Sequence, residues 1–169
     1  LFIGDGFGVS AKTAARMSMG QGTIGKRYTD DAGFKVLSLD KLRFNSMVTT
    51  HSANSWTTDS GPGATVYASG ENGKVDNEAT AFDVAKGQPV ETILEAAKKE
   101  GYAVGLITTT RVTHATPAAF ASHIWFRDLE DYIAAQFISK SEQEYEDIYN
   151  DASSTIKPYN PARDYQLPS

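Results

Sequence analysis

The chain has 169 residues, 40% of them hydrophobic and 22% charged, which is about one domain of ordinary globular composition and neither a disordered nor a membrane chain. A net charge of −5 argues against nucleic acid as the main partner, because phosphate-backbone binding draws on clustered Lys and Arg. The lack of cysteine excludes a disulfide framework and a thiolate metal site, and no apolar run approaches the roughly 18 residues of a membrane span.

In chain order, Leu1-Phe2-Ile3 is predicted as a short buried strand already under way, so the N-terminus is expected to be trimmed. Gly4 to Gly8 follows as a turn, and Val9 to Met19 as a helix with small and apolar residues at helical spacing. Asn45 to Thr50 is predicted as a second strand and Pro62 to Ser69 as a short helix. Pro89 to Glu100 is predicted as a helix with Val90, Ile93, Leu94 and Ala97 on one face. Tyr102 to Thr108 is the clearest strand pattern. Its near-continuous apolar character suits burial on both faces, and the alternation with helices points to an α/β fold with a mainly parallel sheet and helices on both faces. Leu129 to Tyr149 is predicted helical and acidic, with Tyr132, Ile133, Phe137 and Ile138 as its apolar stripe. Residues 1–150 then form one α/β unit, and 151–169, carrying Pro158, Pro161 and Pro168, an irregular tail or linker.

Two segments fall where an open α/β sheet binds ligands, at the carboxyl ends of strands: Asp5 after the first strand and Thr109 to Thr116 after the clearest one. The Gly4-Asp5-Gly6-Phe7-Gly8 turn is not a dinucleotide fingerprint. Its third glycine would have to stand where Val9 is, and a carboxylate at Asp5 repels a pyrophosphate but suits a hard cation. The bland alternative makes Asp5 the N-cap of a strand-to-helix turn. Ser60, flanked by Asp59 and by residues that start a helix, is the candidate nucleophile, since free backbone N–H groups at a helix N-terminus lower the pKa of an oxygen nucleophile. Its bland alternative is a plain N-cap. The α/β-hydrolase elbow is excluded because Thr58 stands where that motif requires glycine.

Three groups of residues together carry a family resemblance: Ile3-Gly4-Asp5-Gly6-Phe7-Gly8, Asp59-Ser60 with Ala64-Thr65, and Thr108 through Ala119 continuing to His123 through Arg127. In that order and approximate spacing, over about the first 130 residues, the chain resembles the N-terminal part of a metal-dependent alkaline phosphatase. The resemblance implies a three-layer α/β/α fold, incomplete in this chain, and hydrolysis of phosphate monoesters through a phosphoserine intermediate on Ser60 at a site with two zinc ions and one magnesium. Asp5 matches the carboxylate shared between zinc and magnesium, and Thr116 the hydroxyl ligand of magnesium. His114 matches a residue one step outside the magnesium's ligands, Arg127 the arginine that grips two phosphate oxygens, and Asp59 the group that orients it.

The bland competitors are specific. Arg127 precedes an acidic helix and has Asp128, Glu130 and Asp131 as local partners, His51 and His123 read as structural or surface residues, and Trp125 and Phe126 as core. With three histidines and no Asp-His dipeptide, these residues do not supply the remaining zinc ligands, so the chain is expected to be a fragment, inactive by itself. The resemblance also implies a small phosphate monoester as substrate, a periplasmic or secreted location and a homodimer. The alternatives are a related phosphodiesterase or sulfatase, the latter weakened by Ala64 where the sulfatase pattern has arginine, or a non-catalytic α/β fragment.

Overall fold

The computed structural model describes residues 1–20 and 36–138. They belong to two compact units, Leu1–Val48 and Thr49–Ser169.

In the first unit the glycine-rich turn forms as expected. Phe7 N–H donates to the Gly4 carbonyl at 3.1 Å, and Gly6 supplies a φ of 64° that a side chain would resist. It leads into α1 (Val9–Gly20). A short 3-10 helix (Ser38–Lys41), not expected from the pattern, starts where Asp40 accepts the Leu37 N–H at 2.9 Å. Arg16 and Lys12 both pair with Asp40, and their side chains hold its carboxyl far below the usual carboxylate range.

The second unit is built on helices. Asp59 caps α2 (Ser60–Ser69) by accepting the Gly61 N–H at 2.9 Å, and Gly70, at φ 76°, ends it with an N–H to the Val66 carbonyl. The helix starts two residues before Pro62 because proline is accommodated within a first turn and does not have to open it. Its buried face, Gly61, Pro62, Ala64, Thr65 and Ala68, packs on α4 (Ala115–Ala121), whose buried residues are also mostly small. Between them lie the hairpin β1 (Phe82–Asp83) and β2 (Gln88–Pro89), paired antiparallel, and α3 (Ile93–Lys99). The helix expected from Pro89 begins only at Ile93, because Thr92 and Glu95 form a reciprocal capping box there while Pro89 pairs in the hairpin. The last described helix is α5 (Glu130–Ile138); the continuation expected to Tyr149 and the tail at 151–169 lie outside the described residues.

Two small cores result. Val75, Ala79, Phe82 and Val84 form one, and Ala118, Ile124 and Ile133 the other, with the half-buried Trp125 packed against both. Tyr132 and Phe137 join the second core as their spacing predicts, whereas Ile138 is exposed, as is Ile93 of the face expected on α3.

The strands expected at 1–3, 45–50 and 102–108 form no ladder among the described residues, where the sheet is the two-stranded hairpin alone. Their side chains are largely exposed, with Phe2 at 103%, Met47 at 99% and Ile107 at 103% of full exposure. An apolar run marks a segment suited to burial, but a strand exists only through bonds to a neighbour, and none is present here.

Candidate functional site

The second unit brings together side chains far apart in sequence. Ser60 is the first residue of α2, directly after its cap, so its hydroxyl sits at the positive end of that helix, whose Gly61 and Gly63 N–H groups are bonded to Asp59. Asp59, the cap itself, has its own N–H held by Asn77 Oδ1 at 2.8 Å, and the Asn77 N–H is held in turn by Asn54 Oδ1 at 2.8 Å.

Arg127 reaches this point from the loop between α4 and α5. Its Nη1 donates to Asp59 Oδ1 and Oδ2 at 2.7 and 2.6 Å and to Ser60 Oγ at 2.8 Å. The ion pair is mostly buried, with side chains 14% and 21% exposed. Burial pushes the Asp59 carboxyl up, but the Arg127 hydrogen bond, the Gly61 N–H and the Arg127 charge together outweigh it and hold Asp59 below its usual range. The local partners that the sequence offered to Arg127 are not the ones it takes. Glu130 instead receives Arg111 through Nε and Nη2 and the Thr113 hydroxyl, which bring its carboxyl down to about 2.

His114 stands at the N-cap of α4 without capping it through its side chain. Its Nε2 lies 3.1 Å from Arg127 Nη2. A guanidinium only donates, so Nε2 accepts and the ring proton sits on Nδ1, which is buried and has no partner among the described residues. Thr116 is half-buried in the first turn of α4, and Asp5 lies in the first unit, in the glycine-rich turn. Ser60, Asp59, Arg127 and His114 thus converge. Among the described residues no group of three or more His, Asp or Glu side chains gathers as a metal site.

Sequence reading missed the scaffold of this cluster. Arg127 N–H donates to the Glu78 carbonyl at 2.7 Å, and Thr80 and Ile124 exchange backbone bonds at 2.8 and 3.0 Å. Ala81 N–H donates to Thr65 Oγ1 on α2 at 2.9 Å, and that hydroxyl donates to the Gly61 carbonyl. A Cβ on Gly61 would meet the Ala79 carbonyl oxygen at 2.6 Å, so this glycine is required by close approach. Segment 78–81 is therefore threaded between α2 and the Arg127 loop. Nothing local in its composition signals this, because each bond spans 16 or more residues. Burial, and secondarily the Asp59 charge, pushes the Glu78 carboxyl up beside the pair.

The family model for alkaline phosphatase matches residues 1–157. Tissue-nonspecific alkaline phosphatase of Gallus gallus is 41% identical over 76% of this chain and 25% of its own length. The solved cold-active alkaline phosphatase from the psychrophile Shewanella sp. is 34% identical, with a TM-score of 0.66 over 79% of this chain and 31% of that one. A histidine-to-aspartate mutant of TAB5 alkaline phosphatase, solved with magnesium bound in its M3 site, is 32% identical with a TM-score of 0.50 over 53% of this chain and 25% of that one. The chain spans about a quarter of the length of the curated relatives it matches.

Proposed function

Because the chain belongs to the alkaline phosphatase family, we propose that it is the part of a phosphomonoesterase that carries the nucleophile, Ser60, and the phosphate-holding arginine, Arg127. The observation that carries this reading is the position of Arg127 Nη1, which spans the Asp59 carboxylate and the Ser60 hydroxyl. Pairing with Asp59 fixes the fork of the guanidinium, so that bound phosphate meets a preorganised cation instead of a mobile one. Ser60 Oγ attacks phosphorus, the bond from phosphorus to the ester oxygen breaks, and the leaving alcohol takes up a proton. Water then attacks the phosphoserine, releasing phosphate and returning a proton to Ser60. In both steps the Arg127 N–H toward Oγ and the positive end of the α2 dipole stabilise negative charge on that oxygen.

In the second unit Thr116 offers a hydroxyl of the kind magnesium takes, and the orphaned Nδ1–H of His114 suits an acceptor oxygen in such an ion's hydration shell; in the first unit Asp5 offers a carboxylate of the same donor class. Magnesium would supply a hard positive charge there and activate bound water. The described residues gather no set of three His, Asp or Glu ligands for either zinc or magnesium, and no step above runs through a metal. The full-length protein is where zinc, the parallel sheet, export and a homodimer belong, all resting on the family resemblance.

The test is hydrolysis of a chromogenic phosphate monoester by the full-length protein with zinc and magnesium present. Ser60→Ala is expected to abolish turnover and covalent labelling by radioactive phosphate. A Ser60→Ala protein that still hydrolyses the ester through a labelled intermediate overturns the assignment.

A further inference from the structure

His123, which composition and spacing leave as a structural or surface residue, has more hydrogen-bond partners than such a residue needs. Its ring is 21% exposed, with Nδ1 2.8 Å from the Ala81 carbonyl oxygen and Nε2 2.7 Å from Glu95 Oε1. A carbonyl and a carboxylate only accept, so each ring nitrogen faces an acceptor, and both can be satisfied together only by a ring that donates from both. The main chain of the same residue is clasped by one amide of α5: His123 N–H donates to Gln136 Oε1 at 2.7 Å, and Gln136 Nε2 donates to the His123 carbonyl at 3.1 Å.

One residue is thus tied to α3, to α5 and to segment 78–81 at once. That segment needs holding. Glu78 and Ala81 are non-glycine residues at φ 72° and 43°, in the left-handed region, and such conformations persist where surrounding bonds over-determine them. Ala81 is held by Thr65 on α2 through its N–H and by His123 and the Val90 N–H at its carbonyl. From His123 the chain runs to Ile124, paired with Thr80, and on to Arg127, whose N–H is bonded to Glu78.

We propose that His123 is a positioning residue: as a doubly donating imidazolium between Ala81 and Glu95 it locks segment 78–81 to segment 122–127 and sets where Arg127 stands against Asp59 and Ser60. The role rests on the reading of Arg127 as the phosphate-holding group. Glu95 suits the part as the facing acceptor. Burial pushes its carboxyl up, but the His123 and Thr92 hydrogen bonds outweigh this and keep it below its usual range, an acceptor at neutral pH.

Two measurements on the full-length protein test this. Nitrogen NMR of histidine-labelled protein at neutral pH is expected to show both His123 ring nitrogens protonated, the signal being assigned by its loss in His123→Gln. Calorimetry with inorganic phosphate is expected to show His123→Gln weakening affinity by about 10-fold, since small misplacements of a binding group are costly. In an Arg127→Ala background the same change should cost less than about two-fold, because residues acting through one another are not additive. A neutral His123 ring, unchanged affinity in His123→Gln while Arg127→Ala lowers it, or fully additive losses each overturn the positioning role. Affinity unaffected by Arg127→Ala overturns the reading of the site itself, and the role with it, whatever the NMR shows. Should His123→Gln fail to fold, Glu95→Gln keeps an acceptor and removes the charge; unchanged His123 protonation and unchanged phosphate affinity in that variant also count against the proposal.

Discussion

A single guanidinium nitrogen, Nη1 of Arg127, reaches both oxygens of Asp59 and the Ser60 hydroxyl, and each contact serves a different purpose. The bonds to Asp59 hold the cation; the bond to Ser60 aims it. Asp59 also caps α2, and Asn caps a helix about as well as Asp, so Asp59→Asn separates the two roles. Stability is expected to fall only by the loss of the buried charge pair, the cap being kept, while affinity for inorganic phosphate falls by roughly 10-fold, the loss typical of a hydrogen bond to a charged group. A variant that melts far lower but binds phosphate normally would show that Asp59 acts on the helix and not on the arginine. Arg127→Ala should weaken phosphate binding at least as strongly, measured by the same calorimetry. At this scale the identities are legible directly in the sequence, and only the family resemblance, not local spacing, paired Asp59 with Arg127. Asp59, Ser60 and Arg127 stand out from their motifs, but the ion pair spans 68 positions, so composition alone offers the local acids near Arg127 as well, and in the structure Glu130 is taken by Arg111.

At the scale of elements, α2 is the piece on which the site depends, and it depends on two small residues. Thr65 Oγ1 donates to the Gly61 carbonyl and accepts the Ala81 N–H, both buried. Thr65→Val keeps the shape and orphans that N–H, so a loss of about 1–3 kcal/mol in stability is expected in chemical denaturation. Gly61→Ala drives a methyl group to 2.6 Å from the Ala79 carbonyl, and a similar loss of about 1–3 kcal/mol follows from overpacking. Wild-type midpoints for both variants would show that segment 78–81 is not braced by α2 as described. Helices were read from the sequence where apolar spacing was clear, as for α1 and the start of α5, and where a turn signal preceded them, as for α2. The helix α4, which bears Thr116, was not anticipated, because Ala115 to Ala121 lacks a side-chain cap and an amphipathic stripe and is buried through small residues on the neighbouring helix.

For the molecule as a whole, the carboxylates predict its response to acid. In the second unit Asp59, Asp83, Glu95 and Glu130 are held below their usual range, and Asp76 and Glu78 are pushed above it. A depressed carboxyl contributes stability that is present above its unfolded pKa and lost as pH falls through its folded one, whereas a raised carboxyl acts in the opposite sense. Depressed groups outnumber raised ones, and Glu130 is lowered to about 2, so stability is expected to decline from about pH 4 toward pH 2. A melting temperature that is flat or rises over that interval would contradict the pairing. Exposed apolar side chains make a second expectation: Phe2 and Met47 in the first unit, and Trp56 and Ile107 in the second, present surfaces that the 169-residue chain alone should bury by self-association in light scattering.

By itself the sequence determined the chemistry available: a serine behind an acidic cap, an arginine, a histidine and hard oxygen donors, because motif, charge and capping preference are local properties of a chain. It determined the helices whose apolar spacing was clear for the same reason. Only the tertiary structure decided between Asp59, which the resemblance implied, and the local acids as the partner of Arg127, placed segment 78–81 as the link from the serine helix to the arginine loop, and left the apolar runs at 1–3, 45–50 and 102–108 without a ladder among the described residues. Those outcomes rest on bonds between residues distant along the chain, and a strand or a buried ion pair exists only when its partner is brought alongside.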